Sequence, residues 1–353
     1  VKRSKFAIPA LLVLIMIVLS ACGGNNAPEN NAPADNAGSG TNNTGSEGGN
    51  TGANAPQEDV TIRLGLVGGG MTPIITQIGI SDGSFEKAGI HIEEKDFTAG
   101  ADMVQALVGG SLDITLGSYE HILRQQKNGL DVKAYGEIFN GVGYTLIVKK
   151  DSKYQSLEDL KGTTLAVTKV GSLSDTGLRE GLKQANIDAD KDVQIINGGS
   201  GATMLAAIQS GKVAGGMVSE PTISQMLATG EYRVLYDPPF EYAGIIITAK
   251  TDWVEKNTET MKRFLAVNNE INERVQKDPS IAVAAMLKTF DQIPEDVMQS
   301  AVKNQLAKVP AGLKVSEAGA EIVQQTQLDQ GILTEKIPFE QAVDMSLLPT
   351  TTP

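Results

Sequence analysis

The stretch Gly100–Tyr119, GADMVQALVGGSLDITLGSY, returns 101 residues later at Gly201–Glu220 as GATMLAAIQSGKVAGGMVSE, without a gap. Gly100/Gly201, Ala101/Ala202, Met103/Met204, Ala106/Ala207, Gly110/Gly211 and Ser118/Ser219 are identical, and Leu107/Ile208, Leu112/Val213 and Leu116/Met217 exchange one apolar residue for another. Each copy reads as a short helix, a glycine stop, a strand and a polar turn that starts with serine. Two matched units that end in polar turns imply two lobes facing each other across a cleft.

The register extends beyond the quoted stretch. The alternating run 61–67 (TIRLGLV) maps onto 162–168, the polar strand pattern 91–97 (HIEEKDF) onto 192–198, and 131–138 onto 232–239. Strand and helix patterns alternate through both halves, which implies largely parallel sheets covered by helices. Tyr144–Lys149 reads as a strand crossing out of the first lobe, and Gly244–Ala249 as the strand that returns. From there the pattern is helical: Met261, Phe264, Leu265, Ile271 and Val275 share one face, Pro279 and Pro294 mark helix starts, and Ile322, Val323 and Leu328 belong to the last long helix.

Composition bounds the function. With 353 residues there is room for two cores, and a formal charge of −12 with no basic run outside the first five residues argues against a nucleic-acid partner. Two histidines and one cysteine leave no Cys/His metal cluster and no disulfide within the chain. Lys2, Arg3 and Lys5 precede the apolar run Ala10–Leu19, which is too short to span a membrane and reads as a signal peptide over 1–21. Leu19-Ser20-Ala21-Cys22 closes it in a pattern that resembles the lipobox of bacterial lipoproteins, whose cysteine becomes the lipidated first residue. Residues 22–58 are Asn, Gly, Ala, Pro, Ser and Thr with little apolar surface, the composition of a disordered tether. At about 36 residues its reach is roughly 30–36 Å. The folded body then divides into lobe 1 over 59–147, lobe 2 over 148–243, and a return strand with C-terminal helices over 244–353 that packs on lobe 1.

Several segments carry a resemblance. Asp82-Gly83-Ser84-Phe85-Glu86-Lys87-Ala88-Gly89-Ile90, Phe97-Thr98-Ala99-Gly100 and Ala106-Leu107-Val108-Gly109-Gly110-Ser111-Leu112-Asp113 come first. Ser156-Leu157-Glu158-Asp159-Leu160-Lys161-Gly162, Gly171-Ser172 with Leu178-Arg179, and Ser219-Glu220-Pro221 follow. In that order they resemble the solute-binding lipoproteins of nitrate/sulfonate/taurine-type ABC transporters, including relatives that bind pyrimidine precursors of thiamine. The resemblance implies an α/β, two-lobed type II periplasmic-binding-protein fold, each lobe a mostly parallel sheet flanked by helices, with two crossover strands as hinge. It also implies delivery of a small solute to a membrane permease. One departure stands out: family members often carry Asp in the second-lobe strand, where this chain has Lys212-Val213-Ala214-Gly215, so Asp113 has no acidic counterpart.

Ligands of open α/β sheets sit at the carboxyl ends of strands, where loops lead into helix N-termini. In lobe 1 those ends offer Gly70, Met71, Thr72, Thr98, Gly100, Ser118, Tyr119 and Asn140. In lobe 2 they offer Lys169, Gly171, Ser172, Leu173, Ser174, Asp175, Gly199, Ser200 and Glu220, with Tyr242 as a wall. Gly171-Ser172-Leu173-Ser174 combines a glycine, two hydroxyls and a helix start, the makings of an anion cradle, although both serines also suit plain helix capping. Lys169 is the strong cation beside it, favouring an anionic ligand. Glu220 is a contact for a cationic group or a solvated carboxylate, and His91 and His121 read as structural residues. Gly68-Gly69-Gly70 lacks the dinucleotide GxGxxG spacing and no GK[ST] follows.

The expected function is an extracytoplasmic, membrane-anchored receptor that closes around a small, sulfonate- or nitrate-like solute and hands it to an ABC permease as a monomer, without cofactor or catalysis. A binding protein for a pyrimidine thiamine precursor or another neutral heterocycle, or a sensory receptor that does not transport, remain alternatives.

Overall fold

The structure is a computed structural model that describes residues 59–68 and 70–350, which fall within one packed unit. The leader, Cys22 and the tether expected over 22–58 lie outside the described residues. Apolar alternation builds β1 (Val60–Val67), in which Ile62 and Leu64 are fully buried. It is followed by α1 (Ile74–Ser81), α2 (Ser84–Lys87), β2 (Ile90–Phe97), α3 (Gly100–Val108), β3 (Ile114–Gly117), α4 (Tyr119–Lys127) and β4 (Val132–Asn140). The second half runs β5 (Thr145–Lys149), β6 (Thr164–Val167), α5 (Leu173–Gln184), β7 (Gln194–Asn197), α6 (Gly201–Gln209), β8 (Gly215–Val218), α7 (Thr222–Ala228), β9 (Tyr232–Tyr236) and β10 (Ala243–Lys250). The tail is helical: α8 (Thr251–Lys256), α9 (Thr258–Lys277), α10 (Pro279–Thr289), α11 (Glu295–Leu306), α12 (Glu317–Asp329) and α13 (Phe339–Ala342).

Two five-stranded sheets result, ordered β2-β1-β3-β10-β4 and β7-β6-β8-β5-β9. At an offset of 101 residues α3 and β3 fall on α6 and β8 with the same bounds. Within each sheet four strands point one way and the fifth is reversed, so both sheets are mixed. The reversed strand comes from the other half of the chain: β10 inserts between β3 and β4, and β5 between β8 and β9. The strands expected to bridge the lobes therefore lie wholly inside the receiving sheets. The crossings themselves are the segments 141–144 and 237–242, tied together where Gly141 N donates to Tyr242 O at 2.7 Å. Gly143 bends the first crossing with φ +69, a conformation an L side chain resists.

One continuous apolar cluster fills lobe 1, running from its sheet through the C-terminal helices. Met261, Phe264, Leu265, Ile271 and Val275 of α9 all turn into it, and Phe264 stacks on Phe85 with ring centroids 5.1 Å apart. Helices α9 and α10 pack on α1, α12 packs on α4, and α11 reaches across to α7. Lobe 2 has two smaller clusters, one on each sheet face. Leu146, Leu165 and Met217 face one way while their neighbours Ile147, Ala166 and Val218 face the other, as the two-residue period of a strand requires. Among the described residues no helix is long and apolar enough to cross a membrane.

Candidate functional site

The carboxyl ends of β1, β3 and β6 meet between the lobes around a cavity of about 20 Å³, room for one water at most. Four helices start on it. Thr72 and Pro73 lead into α1, Gly100 opens α3, Ser118 precedes α4, and Ser172 and Leu173 open α5. None of the four has its first turn capped by the side chain of its own N-cap residue, so their N–H groups are available to partners from elsewhere. Val67, Leu116, Tyr144 and Ile245 complete the apolar wall, and Thr168 adds a hydroxyl.

The cleft is shut by contacts between the lobes. Met71 N donates to Glu220 O at 2.9 Å, Ser200 Oγ to Gly68 O at 3.1 Å, and Ala101 N to Ser172 Oγ at 3.2 Å. Arg124 Nη1 reaches Gly171 O at 2.6 Å, and Lys183 pairs with Asp329 at 2.6 Å. The Ser172 hydroxyl thus satisfies an N–H of the first turn of α3 from across the cleft. Gly70 lets Ser219 approach: a Cβ at that position would stand 3.1 Å from Ser219 Oγ.

Among the described residues, two buried polar atoms on the cavity wall have no hydrogen-bond partner, Ser118 Oγ and His121 Nε2. Ser118 is 3% exposed and His121 5%. The Ser118 hydroxyl lies near enough to the Tyr242 phenol to influence its ionisation but forms no well-aligned bond with it. Burial pushes the His121 imidazole down to about 4, against the pull of Glu120, so the ring is neutral at ordinary pH.

Of the residues expected at the site, Thr72, Gly100, Ser118, Ser172 and Leu173 line this cavity; Gly70, Met71, Gly171 and Ser200 take part in closing it. Others serve elsewhere. Ser174 Oγ accepts from Thr168 N at 2.9 Å and shares a bond with Thr168 Oγ1, which fastens the turn from β6 into α5. Asp175 is buried, accepts from Gly171 N at 2.8 Å and pairs with Arg179 at 2.9 Å; burial leaves its carboxyl above the usual range. Lys169 does not enter the cavity but pairs with Asp102 at the half-exposed rim. Glu220 is not solvated: it is 2% exposed, accepts from Ser224 N and Oγ, and is reached by Asn304 Nδ2 at 2.9 Å. Tyr119 lines a separate cavity with Pro338 and Phe339, and the Tyr242 hydroxyl is spent on Glu120 Oε2 at 2.9 Å. Asn140 holds Tyr242 N at the hinge, Thr98 is exposed, and Gly199 turns the chain before Ser200 with φ +75.

His121, which its helical position marks as a structural residue, stands on the cavity wall, a place that shows only once β3, α3 and α5 are assembled. The signal in the sequence is its spacing, three residues after the strand-end serine on the first turn of α4. Asp113 has a structural partner instead of a ligand. Arg63 donates to it through Nε at 2.9 Å and Nη2 at 2.5 Å, at the end of β3 away from the cleft. A larger groove, about 790 Å³, lies between α9, α10 and α11, walled by Val283, Leu287, Val302 and Leu306, remote from the strand ends.

The model of the family described as NMT1/THI5 like matches residues 72–282, from α1 to α10 and so across both walls of the cleft. The chain belongs to that family. Several relatives of this NMT1/THI5-like chain match along most of its length. One from Brucella abortus (strain 2308) is 27% identical over 257 residues, 70% of this chain and 76% of its own length. The periplasmic aliphatic sulphonate binding protein SsuA of Escherichia coli superposes with a TM-score of 0.64 at 24% identity, covering 81% of this chain and 98% of its own. The periplasmic nitrate-binding protein NrtA of Synechocystis PCC 6803 does so with 0.65 at 14%, covering 83% and 88%. At these identities the likeness establishes the shared two-lobed periplasmic-binding-protein fold.

Proposed function

We propose that this chain is the extracytoplasmic solute-binding component of an ABC importer, held to the membrane through lipid on Cys22, and that it encloses a small anion of the sulfonate or nitrate class. The observation that carries this reading is the cleft itself. Four helix N-termini not capped by their own N-cap side chains converge on a space whose wall holds two unpartnered polar atoms and no carboxylate. Such N–H groups and dipole ends favour negative charge. The names of SsuA and NrtA, which share the fold, point to the same ligand class. A cavity of about 20 Å³ admits no solute, so uptake requires the lobes to part at segments 141–144 and 237–242 and close again. The closed form is then what a permease receives. Lobe 1 over 59–147 with the tail over 244–353, and lobe 2 over 148–243, are the two moving bodies, and the molecule acts as a monomer.

A neutral heterocycle is the second reading, favoured by one observation: Lys169 is paired with Asp102 at the rim, and no lysine or arginine lines the cavity. A thermal-shift panel separates the two. Ethanesulfonate, taurine or nitrate should raise the melting temperature by several degrees and an aminopyrimidine should not; the reverse pattern sinks the anionic reading. Anchoring is tested by Cys22→Ala, which should release the protein from the membrane fraction. Retention of the variant there would remove the lipid from the scheme.

A further inference from the structure

An anion shut into this cleft meets hydroxyls, N–H groups and helix ends but no fixed positive charge: among the described residues its lining holds one imidazole and neither lysine nor arginine. We propose that His121 supplies the missing charge: the imidazole takes up a proton from solvent as the lobes close on the anion, and Nε2–H then donates to it, so that capture is coupled to uptake of one proton. The inference rests on the anionic reading of the cleft.

The geometry favours His121 over its neighbours. Its Nε2 is buried, unpartnered and on the cavity wall. Gly100 leaves that nitrogen uncovered, since a Cβ on Gly100 would stand 2.7 Å from it. The charged groups around it are already committed. On its own helix Glu120 accepts from Tyr242 and pairs with Arg124 at 3.8 Å, while Arg124 donates to Gly171 O and Gln327 Oε1. From α3, Asp102 is tied to Lys169; from α5, Asp175 is held by Gly171 N and Arg179. Of these only Glu120 pulls toward a proton on His121, and burial together with Arg124 outweighs that pull in the empty cleft, holding the ring down at about 4. An anion within about 4–6 Å reverses that balance and raises the proton affinity of the ring, by roughly 1–3 pKa units for a close opposite charge.

The sign follows from linkage. A group whose pKa is higher in the bound than in the free state strengthens binding below the bound pKa, and the gain is lost as pH rises through it. The probes are ethanesulfonate and nitrate, both ionised across the range, titrated into the folded protein in a weak buffer free of sulfonates with a pH indicator present. With the ring raised by about 3 pKa units, the upper end for a close opposite charge, close to one proton should be taken up per site at pH 6 and about half a proton at pH 7, and Kd should rise about tenfold between pH 6 and pH 8. His121→Asn keeps a donor but not the charge, and should bind with a Kd independent of pH and without proton uptake. His121→Gln gives the same readout if the asparagine variant does not fold, and the uptake measurement on the unaltered protein needs no variant. Binding without proton uptake, or uptake that survives in both variants, would overturn the inference and leave the anionic reading standing. Failure of every anion to bind at pH 6, with a neutral pyrimidine binding instead, would overturn both.

Discussion

The two lobes share a strand order and a register of 101 residues, yet each solves burial differently. Lobe 2 closes its sheet with two small clusters built from its own strands and helices. Lobe 1 adds the whole C-terminal helical layer, which joins its sheet in a single core. A duplicated unit therefore does not make two equivalent bodies. Lobe 1 is the thicker half and lobe 2 the lighter one.

The largest effect expected of this difference lies in the added layer. Phe264 is fully buried and stacks on Phe85 beneath α1. Phe264→Ala should cost about 3–5 kcal/mol, the usual range for a large aromatic cut from a core. Urea unfolding followed by circular dichroism reads it directly. A loss below about 1 kcal/mol would mean that the helical layer is a cover for lobe 1 and no part of its core.

A smaller effect tests where the copies diverge. Both lobes keep the same backbone bond, Asp113 N to Arg63 O at 2.9 Å and Ala214 N to Thr164 O at 2.8 Å. Over it lobe 1 places an ion pair where lobe 2 has threonine and alanine. Burial alone would push the Asp113 carboxyl up, but the Arg63 guanidinium and backbone N–H outweigh it and hold the group below its usual range. Asp113→Ala should cost about 1–2 kcal/mol, since Arg63 is more than a third exposed and water compensates part of the loss. Arg63→Thr with Asp113→Ala restores the lobe 2 solution and should cost less than the two single changes together, by on the order of 1 kcal/mol in a double-mutant cycle. Strict additivity would show that the pair is not what distinguishes the strands.

What the sequence made legible follows the same division. The repeat, the helix starts at Pro279 and Pro294 and the apolar face of α9 were readable because glycine stops, prolines and a 3.6-residue period act locally. Strand direction was not. Nothing in Thr145–Lys149 says that it runs against its neighbours, because that depends on which sheet receives it after the crossing. The cleft was half legible. Thr72, Gly100, Ser118, Ser172 and Leu173 stand at strand ends and could be placed by topology. Glu220 could not, because Asn304, which lies 84 residues further on in α11, helps to bury it. Lys169 could not, because Asp102 draws it to the rim from the other lobe. His121 looks like any helical core histidine until Gly100 of α3 comes up against its Nε2 on the cavity wall and leaves it without a partner.

The smallest effect examines where the copies should agree. Gly110 and Gly211 follow α3 and α6 in the left-handed region, with φ of +76 and +73, and a Cβ on either would meet nothing within 4 Å. With no clash to add, alanine at each position costs only the strain of that backbone, about 1–2 kcal/mol. Gly110→Ala and Gly211→Ala should therefore lower stability by equal amounts if the whole molecule unfolds in one transition. Should lobe 2 open first, Gly211→Ala would shift an early phase that Gly110→Ala leaves in place. Hydrogen exchange of β6 and β8 amides against β1 and β3 amides reads that difference. Equal shifts in all four strands would show that the lobes, unlike in their cores, still unfold as one body, whereas early exchange confined to β6 and β8 would show that the C-terminal layer stabilises lobe 1 alone.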